Sequence, residues 1–268
     1  MKIRAGFRLA YECVQPTAML LVLNVHPSRR PDLLTPQTLS FAPGTDVWGY
    51  LDSFGNDCTR IVAPAGVTTI TTQFEIYDDG RPDPLPENAV QHEIRDLPDE
   101  VLVYLLGSRY CDTDRLAEFA WATFSSTPLG WPRVKAILDF VHGHIRFDYM
   151  KADPLRTAYQ GYQDRVGVCR DFAHLAITLC RCMNIPARYC TGYLGDIGVP
   201  ADPNPMDFSA WFQVYLGGHW RTVDARHNHP RIGRILMATG RDATDVALTT
   251  AFGSAVLKHF EVLTEEIG

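Results

Sequence analysis

The most constraining feature of this sequence is a pair of adjacent glycines between two runs of alternating side chains, in the segment SAWFQVYLGGHWRTVDAR. Gly217-Gly218 is typical of the two-residue turn that closes an antiparallel hairpin, because glycine adopts the positive φ that such turns require. Counting outward from this turn, Leu216 pairs with His219 and every later pair follows. The segment therefore predicts two strands in a fixed register.

This register places polar and aromatic side chains on one face of the hairpin. Side chains alternate between the two faces of a strand, so Ser209, Trp211 and Asp224 share a face. Position 209 is then a diagonal neighbour of Asp224, roughly 7–8 Å away between backbones. We predict that the two side chains lie within reach of each other.

A second segment, GVCRDFAHLAITLC, sets a cysteine at the start of an apolar helical run. The N-terminus of a helix carries about half a positive charge and several unpaired N–H groups. Both features are expected to favour the thiolate of Cys169, and the N–H groups could also hold an oxyanion. A buried, unreactive cysteine is the alternative, since most cysteines without a disulfide are small core residues.

Together the two segments predict a nucleophile, a base and an orienting carboxylate, with the cysteine helix packed across the polar face of the hairpin. Cys169 would be the nucleophile and Asp224 the carboxylate. The position of the base holds Ser209, whose hydroxyl has no accessible pKa near 7 and could at most relay a hydrogen bond.

Another histidine could take the place of the missing base. His227 and His229 follow Asp224 in an ARHNHP loop, where strand alternation no longer constrains them, so one of them could fold back over the cleft. His219 lies at the hairpin tip, about 16 Å of strand away from Asp224. His174 points about 140° around the helix from the cysteine and is expected to pack behind the site.

The order of segments predicts an α+β protein with two parts. Residues 1–88 are rich in β-branched and aromatic runs with turn signals between them, and we predict a β-sandwich-like domain there. Residues 78–88, DDGRPDPLPEN, are typical of a linker. Residues 89–268 are predicted to form the cysteine domain, with helices over 112–124 and 132–145.

Composition argues against several classes of partner. The net charge of −6 disfavours a nucleic-acid or anionic-membrane surface, and the apolar run AMLLVLNV is far too short to span a bilayer. We therefore expect a cytoplasmic location, with no membrane and no nucleic-acid partner. The seven cysteines include no CxxC pair, so neither a disulfide framework nor a zinc site is expected. No cofactor is expected.

The quoted motifs resemble those of the bacterial transglutaminase-like proteins, a branch of the papain-like cysteine enzymes often described as candidate cysteine proteases. The resemblance rests on GVCRDFAHLAITLCRCMNIPARYCTGY and DFSAWFQVYLGGHWRTVDARHN, and the β-rich first part resembles the domain that commonly precedes the family's core. It implies a papain-like, transglutaminase-like fold, with Cys169 as nucleophile and Asp224 as its carboxylate. It also implies a histidine at position 209, where this chain has Ser209.

Two further residues are candidates for contact with substrate. Trp211 shares the face of Ser209 and Asp224, so it is either a wall of the substrate site or part of the core. Gln163 lies a few residues before Cys169, and in papain-like enzymes an upstream glutamine can contribute to the oxyanion hole. A solvated loop is the alternative for Gln163.

Three functions follow from these observations. The first is a thiol enzyme that attacks amide or ester carbonyls of a peptide or protein substrate, through a Cys169 thioester, in hydrolysis or acyl transfer. The second is a catalytically impaired scaffold that binds a peptide or protein partner, because the usual base is replaced. A redox-sensing thiol is a third, weaker alternative, which would need a second cysteine within reach.

Overall fold

The first part of the chain forms most of a two-layer β-sandwich in the computed structural model, which describes residues 1–268. Its strands are β1 (Lys2–Cys13), β2 (Thr17–Leu21), β3 (Ser40–Ala42), β4 (Val47–Leu51), β5 (Asp57–Ala63) and β6 (Gly66–Tyr77). Alternation along β6 buries Ile70, Phe74 and Ile76 between the layers and leaves the intervening residues more exposed. The predicted β-rich character of this region is confirmed.

Five helices and a short pair of strands follow. The helices are α1 (Asp99–Leu102), α2 (Thr113–Phe124), α3 (Trp131–His144), α4 (Ala158–Asp164) and α5 (Cys169–Cys182). The strands β7 (Arg146–Phe147) and β8 (Val166–Gly167) pair in parallel. The predicted helices over 112–124 and 132–145 are confirmed within one residue. No helix has both the length and the apolar character needed to cross a membrane.

A four-stranded antiparallel sheet supports α5. It comprises β9 (Ala187–Tyr193), β10 (Ser209–Leu216), β11 (His219–Val223) and β12 (Ile235–Gly240), in the order β11-β10-β9-β12. The predicted hairpin register is confirmed, with Leu216 opposite His219. α5 packs on the face that carries Ala210, Phe212 and Val214. The predicted position of the cysteine helix, across the face of Trp211, is therefore wrong, because the apolar side chains of β10 that a helix can cover lie on the other face.

The end of the chain returns to the β-sandwich. β13 (Thr249–Ala251) pairs with β2, and β14 (Ala255–Glu266) pairs with β1 over almost its whole length. The boundary predicted at residue 88 is therefore not a boundary between two structural domains. The segment 249–268, at the other end of the chain, completes both sheets of the sandwich. The sequence signal for β14 is weak because most of its side chains are exposed.

A pair of valines in β14 tests whether this strand contributes to the fold. Val262 is 6% exposed and lies opposite Phe7, whereas Val256 is 51% exposed. We expect Val262→Ala to lower the free energy of unfolding in urea by about 1–3 kcal/mol, and Val256→Ala to change it by less than about 0.5 kcal/mol. Equal, small effects at both positions would show that β14 is not packed as described.

Candidate active site

The start of α5 is fixed by a carboxylate that caps it. Oδ2 of Asp171 accepts the N–H of Val168 at 2.8 Å and is paired with Nη1 of Arg156 at 3.2 Å. A Cβ at Gly167 would lie 2.4 Å from this carboxylate oxygen, so only glycine fits at that point of the chain. As predicted, Cys169 is the first residue of the helix, and it is partly exposed.

The thiol of Cys169 is not activated by its position alone. Burial raises the pKa of the Cys169 thiol to about 11, and the carboxylates of Asp207 and Asp224 add to this, while Arg226 and the backbone N–H of Ala210 oppose it. Burial therefore opposes the effect expected from the helix terminus. At neutral pH the sulfur carries its proton, so reaction requires a base.

A tight turn after β11 supplies a histidine to the buried carboxylate of Asp224. Oδ1 of Asp224 accepts the backbone N–H groups of Arg226 at 2.9 Å and His227 at 3.1 Å. Asn228 adopts a positive φ of 54°, which reverses the chain. Through this turn Nδ1 of His227 lies 2.8 Å from Oδ2 of Asp224. The structure thus brings a histidine to the predicted carboxylate from a position other than 209.

The imidazole of His227 has the protonation state of a base. Burial lowers the pKa of His227 below its ordinary value of 6.5, although its hydrogen bond to Asp224 works in the opposite direction. At neutral pH the ring is therefore uncharged. Its Nδ1–H donates to the carboxylate, which leaves Nε2 as the acceptor. His227 lines the same cavity as Cys169 and Ser209.

A buried arginine also contacts the carboxylate of Asp224, through the same oxygen as His227. Arg234 donates from Nη2 to Oδ2 of Asp224 at 2.8 Å and from Nε to Oδ2 of Asp83 at 2.7 Å, and its side chain is 6% exposed. Burial alone would raise the pKa of Asp224, but Arg234 and His227 hold it well below its usual range. The segment 78–88, predicted as a linker, thus contributes a carboxylate to the network around the site. Sequence reasoning gave no signal for this contact, because Asp83 and Arg234 are 151 positions apart.

The other histidines considered from the sequence lie elsewhere. His229 is exposed, its Nδ1 contacts the carbonyl of Pro230 at 3.0 Å, and it lines a separate cavity. His174 is fully buried, as expected, and accepts the N–H of Ala243 at 3.1 Å. His219 is exposed at the hairpin turn. None of these three rings shares a cavity with the thiol of Cys169, whereas the ring of His227 does.

The remaining predicted residues divide into one that lines the site and two that do not. Ser209 begins β10 beside Cys169, and its buried Oγ has no hydrogen-bond partner. Trp211 lies on the face of the sheet away from α5, with its ring 5.0 Å from the guanidinium of Arg234. Gln163 is exposed and donates to the hydroxyl of Tyr159 at 3.2 Å. Neither Trp211 nor Gln163 lines a cavity beside the thiol.

Two cavities meet at the thiol. One, of about 80 Å³, is lined by His227, and the other, of about 340 Å³, is not. No group of three or more His, Cys, Asp or Glu side chains is placed to share a metal ion. The chemistry that these groups can perform is nucleophilic attack by sulfur, with proton transfer to an imidazole.

A cysteine at the N-terminus of a helix that packs on an antiparallel sheet is the arrangement of the papain-like cysteine folds. Residues 120–225 match the family model of the transglutaminase-like superfamily. The chain therefore carries a transglutaminase-like domain, and the resemblance stated from the motifs is confirmed.

The chain is also similar to two known proteins. The chain is similar to the crystal structure of a candidate cysteine protease from Cytophaga hutchinsonii, with 27% identity and a TM-score of 0.85, covering 99% of this chain and 90% of the other. It is also 34% identical over 122 residues to an uncharacterised protein of Mycobacterium leprae, a match that spans 44% of this chain and 39% of that protein's length.

The stability of the protein at acid pH tests the buried position of Asp224. Because the folded-state pKa of Asp224 lies below the unfolded value of about 3.9, its contribution is present above about pH 4 and is lost as the pH falls further. We expect the free energy of unfolding to fall more steeply below pH 4 in the native protein than in Asp224→Asn. At pH 7, Asp224→Asn should be less stable by about 3 kcal/mol.

The exposed Glu118 on α2 provides the matched control for this measurement. Glu118→Gln should follow the native curve of urea-unfolding free energy at every pH. If Asp224→Asn also followed the native curve, the carboxylate would not be held by Arg234 and His227 as described.

Proposed function

We propose that the protein is a cysteine-dependent enzyme that acts on amide or ester carbonyls of a peptide or protein substrate, with His227 as the base in place of Ser209. The observation that carries this proposal is the 2.8 Å contact between His227 and Asp224, on a ring that shares a cavity with Cys169. A neutral thiol and a neutral imidazole are the resting states that base-assisted attack requires.

Formation of the acyl-enzyme begins with proton transfer. As Sγ of Cys169 bonds to the carbonyl carbon, Nε2 of His227 takes the thiol proton, and the carbonyl electron pair becomes an oxyanion. Asp224 stabilises the imidazolium that forms, because its carboxylate is ionised and hydrogen-bonded to Nδ1. The donors for this oxyanion are backbone N–H groups in the first turn of α5, since the first N–H groups of a helix have no partner within it.

The leaving group departs with the same proton. When the tetrahedral intermediate collapses, the carbon–nitrogen or carbon–oxygen bond breaks, and Nε2 of His227 donates its proton to the departing amine or alcohol. The thioester on Cys169 is then attacked by water, for hydrolysis, or by an amine, for acyl transfer. His227 takes a proton from that second nucleophile, and the thiol is restored when the thioester opens.

The comparisons support this proposal at a general level. The Cytophaga hutchinsonii structure, similar over 99% of this chain, is described as a candidate cysteine protease. The matched superfamily segment, residues 120–225, includes Cys169 and Asp224 but ends before His227. The base proposed here therefore rests on the geometry of this chain and not on the family pattern.

Hydrolysis of 4-nitrophenyl acetate tests the assignment of the base. Cys169→Ala should lower kcat/KM to the background rate, and His227→Asn should lower it by about 10²- to 10⁴-fold, as expected for loss of a general base. His229→Asn, the matched control two positions away, should leave kcat/KM unchanged. Ser209→Ala should also retain activity, because the Ser209 hydroxyl has no partner to lose.

A second variant keeps the test independent of folding defects in His227→Asn. Position 209 lines the same cavity as the thiol, so adding Ser209→His to His227→Asn should restore part of the activity. Full activity in His227→Asn alone would overturn the role of His227. Absence of any activity in the native protein on esters, amides and peptides would favour the alternative, a transglutaminase-like scaffold that binds a peptide or protein.

A further inference from the structure

The two cavities beside the thiol differ in chemical character. The smaller contains His227 together with Asp196, Arg226 and Arg231, so many of its lining groups are charged. The larger is lined mainly by apolar residues and lacks these four, although the two cavities share the stretch 207–209 and Cys169. The thiol therefore borders a more charged cavity and a more apolar one.

Small aliphatic side chains shape the larger cavity. Ala210 of β10 and the segment 243–248, which joins β12 to β13, form much of its wall. Its charged members are Asp153, Arg170 and Asp207. The guanidinium of Arg170 is already engaged, because it donates to the carbonyl of Pro154 at 3.1 Å and to that of Asp153. A volume of about 340 Å³ is within the range of small-ligand sites.

The position of the base decides which part of a substrate enters each cavity. His227 lines the smaller cavity and not the larger one. A base that takes the thiol proton and returns it to the leaving group must lie on the leaving-group side of the scissile bond. The acyl part of the substrate then extends away from His227, into the larger cavity, which His227 does not line.

We propose that the larger cavity is an acyl-binding site for an aliphatic chain or apolar side chain, and that it makes the protein selective for substrates with an apolar acyl group. This inference rests on the proposed function, since it needs a leaving group on the side of His227. Ala210, Val246 and Leu248 provide the surface against which such a chain is buried.

A series of 4-nitrophenyl esters from acetate to octanoate measures this selectivity, because the leaving group stays constant while the acyl chain grows. Each added methylene should raise kcat/KM by about fourfold until the cavity is filled, which is the value expected for transfer of one methylene out of water. Beyond that length kcat/KM should stop rising. If the protein hydrolyses the acetate but kcat/KM does not change with acyl-chain length, the proposed acyl site is wrong. The proposed function would not be affected by that result.

A cavity-filling variant localises the effect. Ala247 lines the larger cavity but not the smaller one, so Ala247→Trp should abolish the chain-length dependence, with kcat/KM for the octanoate falling to about that for the acetate in the same variant. The matched control is Ala65→Trp in an exposed turn of the β-sandwich, which should keep the native series. Unaltered chain-length dependence in Ala247→Trp would overturn the assignment.

A labelling experiment on the native protein gives an answer without turnover. Alkylation of Cys169 by N-hexyl iodoacetamide should exceed alkylation by iodoacetamide, and Ala247→Trp should remove the difference. Equal rates in the native protein would contradict an apolar site next to the thiol. If neither reagent labels Cys169 and no ester is hydrolysed, the proposed function fails, and the acyl site fails with it.

Discussion

The ionised carboxylate of Asp224 is the interaction on which the site depends. It is buried, and it is stable there because it accepts two backbone N–H groups with one oxygen and contacts Arg234 and His227 with the other. Without these partners the burial of its charge would be strongly unfavourable. The same hydrogen bonds close the turn that carries His227, so the group that orients the imidazole also builds the loop that presents it.

Contacts from distant parts of the chain keep this turn in place. His142 of α3 lies 2.9 Å from the carbonyl of Arg226, and Asn228 donates to Asp139 of the same helix at 2.7 Å. On the other side Asp83 neutralises Arg234 at 2.7 Å. The groups that position the imidazole of His227 are thus fixed by further contacts with α3 and Asp83. Precise alignment of a base requires such support.

The sequence predicted those parts of the site that local rules determine. Gly217-Gly218 fixed the hairpin register, and the start of α5 at Cys169 followed from its apolar run. The identity of the base could only be left open between His227 and His229, because strand alternation ends at β11 and the turn depends on side-chain hydrogen bonds. The high pKa of the thiol was missed because it arises from burial in the assembled fold.

The most direct test of the account is the pH dependence of Cys169 alkylation by iodoacetamide, followed by peptide mapping, in the native protein and in His227→Asn. If His227 accepts the thiol proton, the native rate should rise as His227 loses its own proton, below its ordinary pKa of 6.5, and then level off near neutral pH. In His227→Asn this first rise should be absent, and the rate should increase only at higher pH, as the thiol itself ionises. Identical profiles in the two proteins would contradict the assignment of His227 as the base.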